Sequence, residues 1–196
     1  MINRRQAGFT VVELLVSLTV MLLVVAGFAQ MMVQNSRINR SQQMTAAAQA
    51  DARNCLELIQ QKLRSAGWDP MNGGIGTVGL DPDLTDEISE IEIFSDLDED
   101  GFTNSADEQV LIRHVGEEVV WRRSNDVAEP FIVLATNITN DADGDGTPEA
   151  MFVPFPNPNP TGIRVTITAR SPQPDPVTGE FIRYTLTSDV ILRKAL

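Results

Sequence analysis

The sequence predicts an α+β protein: one long N-terminal helix, transmembrane in its first half, packed on an antiparallel β-sheet head. Three observations support this prediction. Residues 9–29 are largely apolar and carry a single charge, at Glu13. Residues 30–66 contain neither Pro nor Gly, which favours uninterrupted helix. Beyond Trp68, clusters of Gly, Pro, Asn and Asp separate short β-rich runs.

The first element is a short basic leader followed by an apolar span. Residues 1–8 are polar and include Arg4 and Arg5. As a helix, residues 9–29 would be about 31 Å long at ~1.5 Å per residue, close to the ~30 Å hydrocarbon thickness of a bilayer. This apolar stretch is longer than that of a secretory signal, and the basic leader favours a cytoplasmic N-terminus. We expect a single-pass anchor with its N-terminus in the cytoplasm and the head on the other side of the membrane.

Glu13 is unusual in such a span. A carboxylate at the bilayer centre costs about 2.5–3.5 kcal/mol on insertion scales, so an acid there is a functional hypothesis. Cleavage between Gly8 and Phe9 would create an amine four residues before Glu13. On a neighbouring subunit, that amine would be a suitable counter-charge. The alternative is a side chain that merely reaches back to the membrane surface.

The second element, residues 30–67, continues the helix as an amphipathic stalk. Its apolar residues recur at steps of three and four, which places on one face Ala48, Ala52, Cys55, Ile59 and Leu63. Gly67 supplies a C-terminal cap and Pro70 follows it. We predict one helix from Phe9 to Ala66, with Gly27 as its weakest point. Cys55 is the only cysteine, which excludes an intrachain disulfide, and we expect it to be a small buried residue.

The third element, residues 68–196, is the β-rich head. Predicted strands are 88–94, 109–115, 118–123, 131–135, 162–169 and 181–192. Residues Ile163, Val165, Ile167 and Ala169 alternate with polar residues, as in a half-buried strand. Two hairpins are expected, one around Gly116 and a longer one across 171–180. The Pro-rich segment 153–160 cannot be a central strand and is expected to be an extended surface loop.

Two acidic loops interrupt the head. The first fits the pattern D-x-D-x-D-G-x-x-N-x-x-D, which in EF-hand loops wraps oxygen ligands around Ca²⁺. The candidate ligands are Asp96, Asp98, Asp100, the Phe102 carbonyl, Asn104 and Asp107, although Asp is shorter than the usual closing Glu. A solvated Asp-Gly turn is the alternative.

The second acidic loop repeats the D-x-D-x-D-G core but has Phe152 at the closing position. Its candidate ligands are Asp141, Asp143, Asp145, Thr147 and Glu149, with Glu149 as the substitute for the closing ligand. We predict weaker binding here, so that the head would hold one or two Ca²⁺ ions. Such ions would also relieve the local charge, since 20 of the 27 acidic residues lie between Asp81 and Glu149.

Charge and residue types exclude two function classes. The formal net charge of -12 argues against a nucleic-acid partner, which requires clustered Lys and Arg. His114 is the only histidine and falls in a predicted hairpin, so it is expected to be a surface or packing residue. One histidine assembles neither a catalytic triad nor a two-histidine metal site, and we expect no enzymatic activity.

The N-terminal residues GFTVVELLV, followed by the apolar run, resemble the signal of type IV prepilins and pseudopilins. The resemblance implies that a membrane-embedded prepilin peptidase cuts after Gly8 and methylates Phe9. It also implies that Glu13 is the glutamate that directs subunit assembly. Many members of the family have a proline near mature residue 22, whereas this chain has Gln30 there.

Chain length, a stalk without proline and the C-terminal DVILRKAL are most similar to PilW-type minor pilins. That resemblance implies a minor pilin that helps to initiate or cap a type IV pilus, with roles in cell adhesion and twitching motility. Its partners would be other pilins, the peptidase, an inner-membrane assembly platform and, before assembly, lipid. Two alternatives stay open: a type II secretion pseudopilin, and a membrane-anchored Ca²⁺-binding or adhesion module that never assembles.

Overall fold

The computed structural model describes residues 10–70, 78–80, 89–105, 107–123, 128–155 and 162–192. In these ranges it has one helix, α1 (Val11–Ser65), and eight strands. The strands are β1 (Val78–Leu80), β2 (Ser89–Phe94), β3 (Gln109–Val115), β4 (Glu118–Arg123), β5 (Ile132–Thr136), β6 (Phe152–Phe155), β7 (Gly162–Arg170) and β8 (Arg183–Ile191).

The helix α1 is one continuous element of 55 residues, about 82 Å long at ~1.5 Å per residue. Thr10 caps its N-terminus. At the other end, Gly67 adopts a left-handed φ of 72° and its N–H donates to the Phe94 carbonyl at 2.8 Å. The predicted helix and its glycine cap are thus confirmed, and Gly27 lies within unbroken helix.

The strands form two antiparallel sheets. Five strands lie in the order β1-β2-β3-β4-β5, and three lie in the order β6-β7-β8. Ser89, at the start of β2, joins the sheets because its hydroxyl accepts hydrogen bonds from the N–H groups of Met151 and Phe152. The head is therefore antiparallel as predicted, but it contains two adjoining sheets.

The hydrophobic core lies between α1 and the sheets. The five predicted face residues of α1 are completely buried: Ala48, Ala52, Cys55, Ile59 and Leu63. They pack against the inward residues of the smaller sheet, among them Ile163, Val165 and Ile167, and against Ile91 and Ile112 of the larger one. One helix face thus fixes the stalk to both sheets.

Six predicted strands are present with small shifts at their ends, and both predicted hairpins form. The tighter hairpin turns at Gly116, whose φ of 62° suits a two-residue turn with Gly in first place. Strands β1 and β6 were not predicted. The expectation of a loop at 153–160 was wrong for residues 153–155, which belong to β6. Pro154 is tolerated because β6 is at the edge of its sheet.

Candidate functional site

The first half of α1 presents apolar side chains to its surroundings on every side. All residues from Thr10 to Arg40 are exposed, including Leu14, Leu18 and Leu22. The helix is long and apolar enough to cross a membrane, and none of the apolar window is buried. A helix that is hydrophobic all round requires lipid or other helices around it.

Thr10 and Glu13 form a reciprocal cap at the start of α1. The Thr10 hydroxyl accepts from the Glu13 N–H at 3.3 Å, and the Glu13 carboxylate accepts from the Thr10 N–H at 3.4 Å. Glu13 therefore folds back toward the chain start in the isolated subunit. Sequence reasoning missed this role, although T-x-x-E ahead of an apolar run is the signature of a capping box. Gly8 and Phe9 lie outside the described residues.

The first acidic loop, residues 96–108, begins beside the end of α1, where the Asp96 N–H donates to the Trp68 carbonyl at 2.8 Å. Asp96 is completely buried, and its two carboxylate oxygens accept from the N–H groups of Asp100 and Gly101. Asp98 is exposed and accepts from the Ser105 hydroxyl at 2.5 Å. That hydrogen bond is the main cause of the lowered pKa of Asp98, which favours its charged form.

Glu108 lies with Asp96 and Asp98 in this loop, and each of the three offers an oxygen within 4.8 Å of the others. Glu108 is buried and accepts three backbone hydrogen bonds, from Leu97, Asp98 and Ser105. Asp107, the predicted closing ligand, instead accepts from Arg123 Nε at 2.9 Å and has a φ of 79°. The structure thus places Glu108, one residue after the predicted Asp107, beside Asp96 and Asp98.

The donor set of the first loop fits Ca²⁺. Two oxygens bound to one Ca²⁺ at about 2.3–2.6 Å are at most about 5 Å apart, which the three carboxylates satisfy. Asp100 and Asn104 lie nearby, with Asn104 Nδ2 at 3.5 Å from an Asp100 oxygen. The ligand predicted at Phe102 is its backbone carbonyl. The Phe102 side chain itself is exposed. Glu108 was missed because the EF-hand spacing ends one residue before it.

The second acidic loop, residues 141–149, gathers Asp141, Asp143 and Asp145 within the same 4.8 Å limit. The carboxylate of Glu149 accepts a hydrogen bond from the Ala142 N–H at 3.0 Å and so joins the end of the loop to its beginning. The Thr147 N–H donates to Asp145 at 2.7 Å.

A protein cation already lies beside the second loop. Arg183 Nη2 is 3.7 Å from an Asp141 oxygen, and a Cβ on Gly144 would come within 2.9 Å of the same guanidinium. This charge reduces the attraction of the second loop for a metal ion. Among the described residues, the first loop is therefore the better candidate for a cation site.

Comparison with known families identifies the N-terminal segment. Residues 3–29 match the model of the prokaryotic N-terminal methylation motif. The chain is a type IV prepilin-like protein. The matched range includes Gly8, Phe9 and Glu13 and ends at Ala29, where the largely apolar stretch of residues 9–29 also ends. No curated protein and no solved structure is significantly similar to the chain.

In a prepilin-like protein, this motif implies processing by prepilin peptidase and assembly with other pilins. The long helix on antiparallel sheets agrees with a pilin fold, and the apolar helix agrees with membrane anchoring. The motif is typical of structural proteins.

The remaining reactive side chains of this prepilin-like chain have packing roles. Cys55 is buried in the core, and burial raises the pKa of its thiol to about 12, so the thiol stays protonated and inert. His114 is also buried, which lowers its pKa, and its Nε2 donates to the Ile138 carbonyl at 2.8 Å. His114 is therefore a packing residue, one of the two roles expected for it.

Proposed function

We propose that the chain is a minor pilin that helps to initiate or cap a type IV pilus. The observation that carries this proposal is the methylation motif on a helix whose first half is apolar all round and whose second half is locked to a head. The single cysteine supports a minor subunit, because major pilins commonly close their C-terminal region with a disulfide. In this proposal, adhesion and twitching motility depend on the assembled pilus.

Assembly would begin with insertion, the leader inside and the head in the periplasm. Cleavage after Gly8 then exposes an amine at Phe9. The assembly platform lifts the subunit from the bilayer, and the first half of α1 joins other helices in the filament core. There Glu13 meets the Phe9 amine of a neighbour and sets the axial register.

The Thr10–Glu13 cap must open before the Glu13 carboxylate can pair with the Phe9 amine of a neighbour. Opening an N-terminal cap costs about 0.5–2 kcal/mol. An ion pair in an apolar helix bundle offsets that cost, because a lone carboxylate there costs about 2.5–3.5 kcal/mol. Glu13 therefore caps its own helix before assembly and pairs between subunits afterwards.

Substitution of Glu13 with Gln tests this pairing. Gln retains the capping geometry but removes the charge. We expect Glu13→Gln to be cleaved and inserted normally, yet to co-assemble at least about tenfold less, the equivalent of ~1.4 kcal/mol. Incorporation is measured by immunoblotting of sheared filaments.

Thr10→Ala is the matched control, since it weakens the cap and keeps the carboxylate. We expect near-normal incorporation of this variant. Normal incorporation of Glu13→Gln would refute the pairing. Recovery of the chain in a secretion pseudopilus, and not in pili, would favour the pseudopilin alternative.

We also propose that the first acidic loop binds Ca²⁺ through Asp96, Asp98 and Glu108, with Asp100, the Phe102 carbonyl and Asn104 as further ligands. A bound ion would neutralise charge and tie the two ends of the loop together. At a Ca²⁺ concentration 100-fold above Kd it would stabilise the fold by about 2.7 kcal/mol. For a chain of this size, that corresponds to a rise in melting temperature of roughly 5–10 °C.

Two adjacent variants separate the ligands proposed for loop closure. Glu108→Gln should abolish the Ca²⁺-dependent rise in melting temperature, whereas Asp107→Asn should retain it. The rise itself is the correct readout, because Glu108 also accepts backbone hydrogen bonds without metal. Loss of the rise in Asp107→Asn alone would restore Asp107 as the closing ligand, and no rise in the unmodified chain would exclude this site.

A further inference from the structure

The loop between β7 and β8, residues 171–182, reaches down to the part of α1 that leaves the apolar span. Arg40 Nη2 donates to Gln173 Oε1 at 2.9 Å, and the side chains of Ser41 and Asp175 are hydrogen-bonded. Beyond these contacts, Pro176 and Val177 face α1 across an open groove. The helix side of this groove runs from Ala29 to Ile38.

The tip of this loop is held in place by its own hydrogen bonds. The buried Asp175 carboxylate accepts from the N–H groups of Val177 and Thr178 and from the Thr178 hydroxyl. The Gly179 N–H closes the turn on the Asp175 carbonyl at 2.7 Å. Val177 is nevertheless 60% exposed. An ordered turn thus presents an apolar side chain with nothing packed over it.

The groove lies at a defined depth if α1 spans a bilayer. With Thr19, the centre of residues 9–29, at the midplane, a half-thickness of about 15 Å is ten helical residues and ends at Ala29. The headgroup layer adds about 5–7 Å and extends to Val33 or Gln34. Val177, opposite this stretch, therefore lies at the level of the lipid headgroups.

The lining of the groove has the chemistry of that layer. Its apolar wall continues the exposed surface of the span through Val33, and Ile38 lies above it. Arg37 supplies a positive charge. Side chains on a helix tilt toward its N-terminus, so Arg37 is directed down toward the level of the phosphates. The formal net charge of the chain is -12, which makes a cation at this depth distinctive.

We propose that this groove holds one phospholipid of the leaflet on the head side, with the phosphate at Arg37 and the glycerol end of the lipid beside Val33 and Val177. The head would then be seated on the membrane at a second point besides α1. The inference rests on the anchoring of α1, which is part of the proposed function. Removal of the subunit from the bilayer would have to break this contact.

Depth-dependent quenching in nanodiscs tests the proposal on the full chain. Val177→Cys is labelled with an environment-sensitive fluorophore, while the buried Cys55 stays unlabelled and the unsubstituted chain serves as the blank. The discs contain phosphatidylcholine with a nitroxide on the headgroup, at one chain per disc. Ile191→Cys is the matched control, because Ile191 is an exposed β-branched residue at the far end of β8, about 26 Å from the loop end of that strand at ~3.3 Å per residue.

We expect headgroup nitroxides to quench the label at residue 177 at least about twofold more than the label at residue 191, as for groups seated at the headgroup boundary. Adding Arg37→Gln to Val177→Cys should reduce this difference. Equal quenching of the labels at residues 177 and 191 would overturn the proposal. So would a difference between the two labels that Arg37→Gln leaves unchanged. Protection of residue 177 that appears only with several chains per disc would assign the groove to a second copy instead.

A label at Leu18→Cys separates this inference from the anchoring on which it rests. If residue 18 is quenched by nitroxides deep in the acyl chains while residue 177 stays in water, α1 spans the bilayer and only the lipid site fails. If both labels stay in water, the anchoring fails and takes the lipid site with it.

Discussion

The two halves of α1 share one backbone and have opposite surroundings. From Thr10 to Arg40 every residue is exposed, and the apolar side chains lie on all faces. From Ala48 to Leu63 one face carries five completely buried apolar residues, Ala48, Ala52, Cys55, Ile59 and Leu63. The first half depends on lipid or on other helices, and the second half depends on its own head.

Because of this difference, the first half of α1 should contribute to membrane insertion and assembly, and the second half to folding of the head. Each exposed Val or Leu of the first half gains about 1.5–3 kcal/mol when it leaves water, but only in a bilayer or a helix bundle. In the second half, the buried Ile59 and Leu63 have already made a gain of this size within the chain. Substitutions in the first half should therefore alter insertion and assembly, and those in the second half should alter folding.

The largest expected effect on folding comes from Ile59→Ala in the buried half. Removal of a fully buried Ile side chain leaves a cavity and should cost about 2–5 kcal/mol. The neighbouring Leu58→Ala is the matched control, because Leu58 is 41% exposed and should cost less than about 1 kcal/mol. Denaturant unfolding in detergent, followed by tryptophan fluorescence, measures both. Equal losses would show that the burial of this face does not determine the stability of the head.

A smaller free-energy effect is expected from Leu22→Asp in the exposed half, and on a different equilibrium. A carboxylate near the middle of the span should cost about 2.5–3.5 kcal/mol of insertion, with no change in unfolding of the head. Carbonate extraction of membranes measures the insertion. Reduced stability of the head with insertion intact would contradict the division of α1 into two halves.

Much of this architecture could be predicted because its signals are local or periodic. The buried face of α1 follows from steps of three and four, and the alternation along β7 follows from its period of two. Strand β6 was missed because Pro154 argues against a strand, and only its place at a sheet edge removes the objection. Edge position depends on the order of all the strands in the sheet, which the local sequence does not contain.

The candidate sites show the same limit. The EF-hand spacing predicts a Ca²⁺ site in the first loop, but it does not show that Asp107 forms an ion pair with Arg123, which lies at the end of β4. The cation beside the second loop is likewise Arg183, more than 30 residues away along the chain. Glu13 illustrates the opposite case, since its capping partner Thr10 is three residues away and was readable from the sequence.

The N-terminal residue of the membrane-extracted protein tests the central claim most directly. Mass spectrometry of the intact protein and of its N-terminal peptide, after expression with a prepilin peptidase, gives this residue and its modification. A prepilin-like chain should begin at Phe9 and carry an N-methyl group. An unmodified chain that still begins at Met1 would contradict the account and leave a membrane-anchored module that does not assemble.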